Sequence, residues 1–177
     1  MKFSKLCKIH KAVARNARWS VTEHVLFDKT DGRLVACNGS ILAVVPVTDT
    51  ERDESGMIPT AALAEATKGK LGDAELASLN EHVATGNYRI DRPSADPEHY
   101  PDYKRIVTDP PAGLSIRLSA KHLIDLVAAL GAVGTDLDMI ELRFMATSQG
   151  AIDSAFPVRV DVEGTGAFGV IMPIKGG

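Results

Sequence analysis

Hydrophobic and polar residues alternate with a period of two in several short stretches of this chain, a pattern typical of half-buried β-strands. The clearest is 114–118, where Leu114, Ile116 and Leu118 are separated by polar residues. Asp-Gly and Asn-Gly pairs at 31–32 and 38–39 favour tight hairpin turns. Similar apolar stretches predict further strands at 24–28, 33–37, 41–47, 79–84, 87–91, 139–145, 156–162 and 167–174.

Three other stretches have the spacing of helices. Residues 4–17 follow a possible N-cap at Ser4, residues 60–68 follow Pro59, and residues 120–130 follow an N-cap at Ser119. The stretches 48–55 and 92–113 are polar or rich in Pro, Asp and Gly, which predicts loops. Each helix precedes a strand meander, so a helix-and-meander unit recurs about three times. Antiparallel meanders with helices on one face predict an α+β fold.

The first predicted helix would carry positive charge on one side. At about 100° per residue, Leu6, Ile9 and Val13 fall on one face, where His10 is expected to pack as a half-buried imidazole. Four basic residues with no acid among them follow the other side: Lys8, Lys11, Arg15 and Arg18. Lys5 lies between the two faces and joins them as a candidate DNA contact. Such a stripe suits sequence-independent contacts with DNA phosphates. A solvated helix face is the alternative interpretation.

Composition narrows the class of protein. The 177 residues include 20 Lys and Arg against 23 Asp and Glu, so a net charge of −3 excludes a globally basic nucleic-acid binder but allows a local basic face. Aromatic residues make up 5%, which argues against base stacking on aromatic platforms. Two cysteines, Cys7 and Cys37, allow one disulfide, but free thiols in a soluble cytoplasmic protein are the default expectation. Neither a membrane span nor a secretory signal is expected.

Candidate catalytic and metal sites are weak. The five histidines lack metal-ligand spacing, and a Gly-x-Ser-x-Gly elbow does not occur. We therefore expect neither an enzyme nor a cofactor or metal site. Acidic residues surround the Pro-rich loop, and paired catalytic carboxylates there are the alternative to a solvated loop: Asp96, Glu98, Asp102 and Asp109.

Four segments resemble motifs of the bacterial sliding clamp, the beta subunit of DNA polymerase III. Residues 34–43, LVACNGSILA, resemble its "ATDGHRLA" signature, with Asn38, Ser40 and Ile41 in place of Asp, His and Arg. Residues 57–63, MIPTAAL, and 100–106, YPDYKRI, resemble its helix entry and its "FPDYRRV" loop. The segment 169–175, GVIMPIK, resembles its C-terminal "YVVMPMRL". All four occur in the clamp's order.

The resemblance implies a clamp fold of repeated βαβββ units, with helices on one face of antiparallel sheets. The chain is about half the family's usual length, and it resembles the clamp's middle domain joined to the last unit of its third domain. We therefore predict a clamp-like domain with two such units over residues 1–110. Residues 111–177 are predicted to form a third unit that ends in the C-terminal strand.

The family also has a pocket for short linear peptides of polymerases and clamp loaders. An apolar groove with an adaptable methionine and one or two cations suits such peptides. Core packing is the alternative role for Leu42, Ile106 and Val170. Carried over motif by motif, the resemblance assigns the pocket to Cys37, Gly39, Leu42, Pro101, Arg105, Ile106, Val170, Met172, Pro173, Ile174 and Lys175.

The resemblance implies a non-catalytic processivity factor that binds duplex DNA without sequence preference and docks polymerase or loader peptides. One chain cannot encircle DNA, so a homo-oligomer closed head to tail is expected. A clamp-fold peptide-binding or decoy module that does not encircle DNA is the second hypothesis. A hydrolase that uses Asp102 or its acidic loop is the third.

Overall fold

The computed structural model describes residues 1–15, 20–69, 72–106, 116–130, 139–145, 156–163 and 167–174. The chain divides into two compact units, residues 1–108 and 109–177. Both contain antiparallel sheets and few helices, which confirms the predicted α+β class.

The described residues of the first unit form three sheets and two short α-helices. Its strands are β1 Lys2–Ser4, β2 Val25–Asp28, β3 Arg33–Cys37, β4 Leu42–Pro46, β5 Gly56–Ile58, β6 Asp73–Glu75, β7 Ala77–Ser78, β8 His82–Thr85 and β9 Tyr88–Asp91. Its helices are α1 Thr60–Ala66 and α2 Tyr103–Ile106, with 3₁₀ turns at Ile9–Ala12, Ser20–Glu23 and Pro97–His99. The sheet orders are β4-β3-β2-β5, β7-β8-β9 and β1-β6.

The four-stranded sheet is covered on both faces, which follows from the alternation of its side chains. Phe27 and Leu34 lie directly opposite each other and join a core that includes Leu63 of α1. Val35, which follows Leu34 in β3, points to the other face of the sheet. There it packs with Tyr100 and Tyr103, which lie later in the chain. Burial of both faces explains why these strands read as nearly continuous apolar runs.

Two polar side chains, the buried Asp53 and the half-buried Arg92, fasten the loop before β5. The Asp53 carboxylate accepts hydrogen bonds from the Ser78 amide and from the amide and hydroxyl of Thr50, all at 2.9 Å. The Met1 ammonium donates to it at 2.7 Å. Arg92 donates to the carbonyls of Glu54, Ser55 and Leu79. Buried polar groups here are therefore satisfied by a connected network.

The prediction of a helix at 4–17 is wrong. Residues 2–4 are the strand β1, which pairs with β6 and buries Phe3. The described remainder holds only the 3₁₀ turn at Ile9–Ala12, and Leu6 is 69% exposed instead of facing the core. Tertiary pairing of the polar–apolar–polar triplet at 2–4 therefore overrides the weak helical propensity of the segment.

The other two predicted helices are confirmed. Helix α1 buries Ala62, Leu63 and Ala66 and ends where the Thr67 hydroxyl donates to the Leu63 carbonyl. In the second unit, helix α3 spans Ala120–Ala129. The hydroxyl of its N-cap residue, Ser119, accepts a hydrogen bond from the His122 amide at 3.3 Å.

The second unit contains one described sheet, of order β10-β11-β12, with strands at Ile140–Arg143, Val158–Val162 and Phe168–Ile171. Val158, Val160 and Ile171 are buried against the apolar side of α3, including Leu123 and Leu126. Both strand pairs of this sheet are antiparallel. The strands predicted at 139–145, 156–162 and 167–174 are therefore confirmed, with narrower bounds.

Several local predictions need correction. Residues 116–118, predicted as part of a strand, belong to none, although the Ile174 amide donates to the Arg117 carbonyl at 2.7 Å. The predicted loop at 92–113 contains α2 and a 3₁₀ turn, and 107–113 lie outside the described residues. The strands β1, β5, β6 and β7 were not predicted, because two or three residues are too few to show periodicity.

Candidate functional site

The signature segment forms the tight turn between β3 and β4. Asn38 Oδ1 accepts hydrogen bonds from the amides of Ser40 and Ile41, both at 2.9 Å. Gly39 has φ +90°, a left-handed conformation that favours glycine. An aspartate can close the same side-chain turn, so Asn38 keeps the turn geometry without the charge. Ile41 projects 52% exposed beside it.

A loop rich in aromatic residues covers the face of the sheet next to this turn. The Tyr100 hydroxyl donates to the Val35 carbonyl at 3.1 Å, and the ring is buried. Burial raises the pKa of this phenol, which stays protonated as a donor. Cys37 and Leu42, opposite each other in the register of β3 and β4, pack against the same cluster.

A second anchor fixes the end of this loop to the β2–β3 turn. The Tyr103 hydroxyl lies 2.9 Å from Asp28 Oδ2 and 2.9 Å from Asp31 Oδ2. Lys104 Nζ lies 3.2 and 2.9 Å from the same two oxygens. One phenol and one ammonium therefore hold two neighbouring carboxylates, an arrangement defined here as the Tyr103 anchor.

The electrostatics of the Tyr103 anchor favour charged carboxylates and a protonated phenol. Burial and the two carboxylates raise the pKa of Tyr103. Burial opposes ionisation of Asp28, but the bonds from Tyr103 and Lys104 lower its pKa on balance. Lys104 and Tyr103 likewise lower the pKa of Asp31. The anchor is thus fully formed at neutral pH.

The anchored loop presents three of the predicted peptide-contact residues. Pro101, which lies between Tyr100 and Tyr103 in the sequence, is half-buried. Arg105 is exposed, and so is Ile106, whose exposed fraction is 59%. The first unit therefore brings Cys37 and Leu42 into the cluster that carries this loop. Gly39 lies at the tip of the adjacent turn with open space around its Cα.

The second unit carries the remaining predicted peptide-contact residues. Val170 of β12 is 58% exposed, and Met172 and Ile174, which follow it at spacings of two, are 60% and 53% exposed. Pro173 is half-buried, and Lys175 lies outside the described residues. These alternating positions form an exposed apolar strip along the edge of the sheet.

The predicted basic residues do not share a helix face. Lys11 and Arg15 are exposed, Lys5 is half-buried, and Arg18 lies outside the described residues. Lys8 Nζ donates to the carbonyl of Thr67 at the end of α1, where a cation is favoured by the helix dipole. Lys5 lines a shallow depression together with Glu65, Lys68, Asp73 and Glu75. The positive charge at Lys5 is therefore partly offset by nearby acids.

The acidic loop is built around a local cap. Asp96 accepts from the Glu98 amide at 2.9 Å and contacts His99 Nδ1 at 3.2 Å, while Glu98 and Asp102 are exposed. Asp109 lies outside the described residues. Within the described ranges, His, Cys, Asp and Glu side chains form no group of three that could hold a metal ion. Cys7 and Cys37 are free thiols, as predicted.

Comparison with solved structures identifies the arrangement. A DNA polymerase sliding clamp from Pseudomonas aeruginosa is 13% identical and matches over 99% of this chain and 52% of its own, with a TM-score of 0.56. A putative DNA polymerase III beta subunit from Eubacterium rectale is 13% identical, with coverages of 98% and 50% and a TM-score of 0.62. The chain has the sliding-clamp fold. The beta subunit from Borrelia burgdorferi is 18% identical, with coverages of 99% and 48% and a TM-score of 0.59.

The clamp fold is thus evident from structure and not from overall sequence. No protein-family profile and no curated protein sequence matches the chain. The chain spans about half the length of the clamp structures that it matches. Among the described helices, none is long and apolar enough to cross a membrane.

Sequence reasoning missed the residues that hold the clamp-fold loop in place. Tyr100 and Tyr103 belong to a motif from which only neighbouring positions are assigned to the pocket, and Asp28 and Asp31 stand at a strand end and in a hairpin turn. One signal was available, because aromatic residues are only 5% of the chain and two of them stand three positions apart in a Pro-rich loop. Buried tyrosines require a hydrogen-bond partner, which the hairpin carboxylates and the Val35 carbonyl supply.

Proposed function

We propose that this chain is a sliding-clamp-like processivity factor that contacts duplex DNA without sequence preference and docks peptides of polymerases or clamp loaders. The observation that carries the proposal is the clamp fold, which extends over 99% of the chain in the P. aeruginosa comparison. Such a protein works by binding, so the proposal includes neither catalysis nor a cofactor. Its expected compartment is the cytoplasm, where replication takes place.

The peptide-docking part is supported by exposed apolar side chains at the predicted positions. Ile106 in the first unit and Val170, Met172 and Ile174 in the second are each more than half exposed. Contiguous exposed apolar residues are more typical of binding surfaces than apolar residues that are exposed singly. A flexible methionine adapts to different peptide side chains, and Arg105 and Lys175 would complement acidic or carboxyl groups.

The DNA-contact part is supported by exposed cations near the N-terminus. Lys11 and Arg15 are exposed. Burial and the positive charges of Lys8 and Lys11 lower the pKa of His10, which indicates that these cations lie close together. We assign the phosphate contacts to Lys5, Lys8, Lys11, Arg15 and Arg18. The largest contributions are expected from Lys11 and Arg15, because Lys8 bonds to Thr67 and Lys5 has acidic neighbours.

Encircling DNA would require several chains closed head to tail in a ring. Within each chain, we assign residues 1–110 to a clamp-like domain and 111–177 to a further clamp-like unit. Neither assignment depends on which edge strands join the subunits.

Retention on circular DNA tests the complete proposal. The full chain, incubated with its replication partners, should remain on nicked circular DNA in high salt and slide off after linearisation. K11E/R15E should weaken DNA binding at least about tenfold and lower the slope of log affinity against log salt by about 2. The control R89E reverses one exposed cation elsewhere in the chain and should change neither quantity beyond about twofold. Equal losses in both variants would contradict the assignment.

The second candidate function is a clamp-fold peptide-binding or decoy module that does not encircle DNA. The net charge of −3 and the engagement of Lys8 by Thr67 favour it. Mass measurement by light scattering discriminates the two candidates. A chain that stays monomeric or dimeric and binds clamp-binding peptides, with loss of binding in M172E, supports the module over the ring.

A further inference from the structure

The sheet of the second unit has an outer face on the side away from α3. Alternation places Val158, Val160 and Ile171 inward, against α3. The outward positions are Glu141, Arg143, Arg159, Asp161, Phe168 and Val170. These six residues are called the outer face below. Phe168 and Val170 are 55% and 58% exposed, so no described element covers this face as α3 covers the inner one.

Charges on the outer face are sorted into rows. The register pairs Arg143 with Arg159 and continues to Val170, which forms a basic row. One step along the strands, the register pairs Glu141 with Asp161 and continues to Phe168, which forms an acidic row. Like charges directly opposite each other on neighbouring strands destabilise a sheet.

Ion pairs along the strands only partly offset this arrangement. Arg159 lies 2.8 Å from Asp161, Arg143 lies 2.7 Å from Glu141, and Arg143 reaches Asp161 at 3.5 Å. The Arg159 guanidinium also lies 3.9 Å from the centroid of the Phe168 ring. The side chains of Arg143, Arg159 and Glu141 nevertheless remain 58%, 44% and 61% exposed, so each can accept a further partner.

A second copy of this face fits the rows under one symmetry operation. A two-fold axis in the plane of the interface and perpendicular to the strands reverses the direction along each strand and keeps the strand order. The basic row of one copy then lies over the acidic row of the other. Arg143 faces Glu141, Arg159 faces Asp161, and Val170 faces Phe168. All six outer positions therefore meet a complementary residue.

Alternative symmetry operations lack this property. An axis parallel to the strands would place the basic row over the basic row and the acidic row over the acidic row. Like charges juxtaposed at an interface cost several kcal/mol. Two sheets that pack face to face lie about 10 Å apart, a gap that arginine and carboxylate side chains can bridge from opposite sides.

We propose that the outer face is a self-complementary surface on which two copies of this chain associate back to back through their β10–β11–β12 sheets. The occupant is a second copy because the basic row of one copy complements the acidic row of the other. The charges of the two rows sum to zero, so a strongly charged partner would gain no net attraction. The proposal does not depend on the clamp role. Six residues per copy form a small interface, below the roughly 800 Å² per partner of a stable complex, so the association is weak and concentration-dependent.

Charge-sorted variants of the full chain test this arrangement. R143E/R159E makes the outer face entirely acidic, and E141K/D161K makes it entirely basic. Each variant alone should self-associate at least tenfold more weakly than the natural chain in sedimentation-velocity series. Mixed in equal amounts, the two should form a heterodimer that weakens as salt is raised. The four-fold variant E141K/R143E/R159E/D161K exchanges the rows and should regain self-association.

Circular dichroism and thermal unfolding would establish that every variant is folded, as expected for exposed ion pairs that contribute little to stability. The proposal is overturned if the natural chain shows no concentration-dependent association at the highest soluble concentration. It is also overturned if the acidic and basic variants fail to bind each other, or if R143E/R159E associates like the natural chain. A ring formed through other surfaces would give an oligomer larger than a dimer, and its assembly would resist R143E/R159E.

Discussion

The two largest described sheets of the molecule differ in how their faces are used. The four-stranded sheet of the first unit is covered on one face by α1 and on the other by the loop that carries Tyr100 and Tyr103. The sheet of the second unit packs α3 on one face and exposes Phe168 and Val170 on the other. The first sheet therefore serves mainly as a scaffold for turns and loops, whereas the second leaves apolar side chains of one of its own faces exposed to solvent.

The largest expected effect of this difference concerns two phenylalanines. Phe27 in β2 is fully buried, and Phe27→Ala should lower the free energy of unfolding by about 3–5 kcal/mol, because the change removes a large apolar side chain and leaves a cavity. Urea unfolding followed by far-UV circular dichroism measures the loss.

Phe168→Ala is the matched control in the second sheet. Its ring is more than half exposed and contacts the Arg159 guanidinium, so the loss should stay below about 1 kcal/mol. If both variants lost a comparable amount of unfolding free energy, the outer face of the second sheet would be covered by other parts of the chain, and the two sheets would not differ as described.

Two aspartates extend the comparison to charged groups. Burial raises the pKa of Asp53, but bonds from the Met1 ammonium, Ser78 and Thr50 lower it on balance. Asp53→Asn removes the charge from a buried network, and we expect a loss of about 2–4 kcal/mol at pH 7. Asp161→Asn, in an ion-pair network at the surface, should cost much less, because ion pairs that water can reach contribute little to stability. Thermal unfolding of both variants measures the difference.

The sign of the pH dependence follows from the lowered pKa of Asp53. A depressed carboxyl pKa contributes stability above the unfolded pKa of about 4, and that contribution is lost as the pH falls through the folded pKa. The difference in free energy of unfolding between the natural chain and Asp53→Asn should therefore disappear in strong acid. A deficit that persists unchanged at pH 2 would show that geometry, and not charge, sets the effect.

The sequence indicates the strands of both sheets for a physical reason. Hairpins such as β2–β3 and β8–β9 combine alternating side chains with local turns, so their register needs no distant information. The segment at 4–17 misled because a helical spacing of basic residues occurs there without a helix. Its outcome depends on pairing of Lys2–Ser4 with Asp73–Glu75, some seventy residues away, which composition and periodicity cannot show.

The candidate site divides in the same way. The turn at Asn38 and the exposed strip at Val170 could be located from motifs, because both are local features of one or two strands. The Tyr103 anchor could not, since Asp28 and Asp31 reach Tyr103 over more than seventy residues of sequence. Long-range polar contacts leave no periodic signal, and only the tertiary structure reveals them.

The Tyr103 anchor predicts an intermediate effect. Tyr103→Phe removes the phenol donor from two carboxylates, and we expect a loss of about 1–2 kcal/mol in the free energy of unfolding. It should also speed proteolytic cleavage near residues 100–106, because the loop loses one of its two tyrosine contacts. Tyr88→Phe, at a site more than half exposed, is the control and should change neither value appreciably. Equal cleavage rates for both variants would contradict an anchoring role.

The smallest effect concerns two histidines of the first unit, His10 and His24, whose buried Nδ1 atoms have no hydrogen-bond partner among the described residues. Burial lowers the pKa of both, helped at His10 by Lys8 and Lys11 and opposed at His24 by Glu23. The unfolded chain therefore binds protons first, and stability should fall as the pH drops below about 6.5. H10Q/H24Q should flatten the stability profile between pH 7 and 5 in urea unfolding series, with each single variant removing part of the slope. A double variant that keeps the full slope would assign the acid sensitivity to other groups.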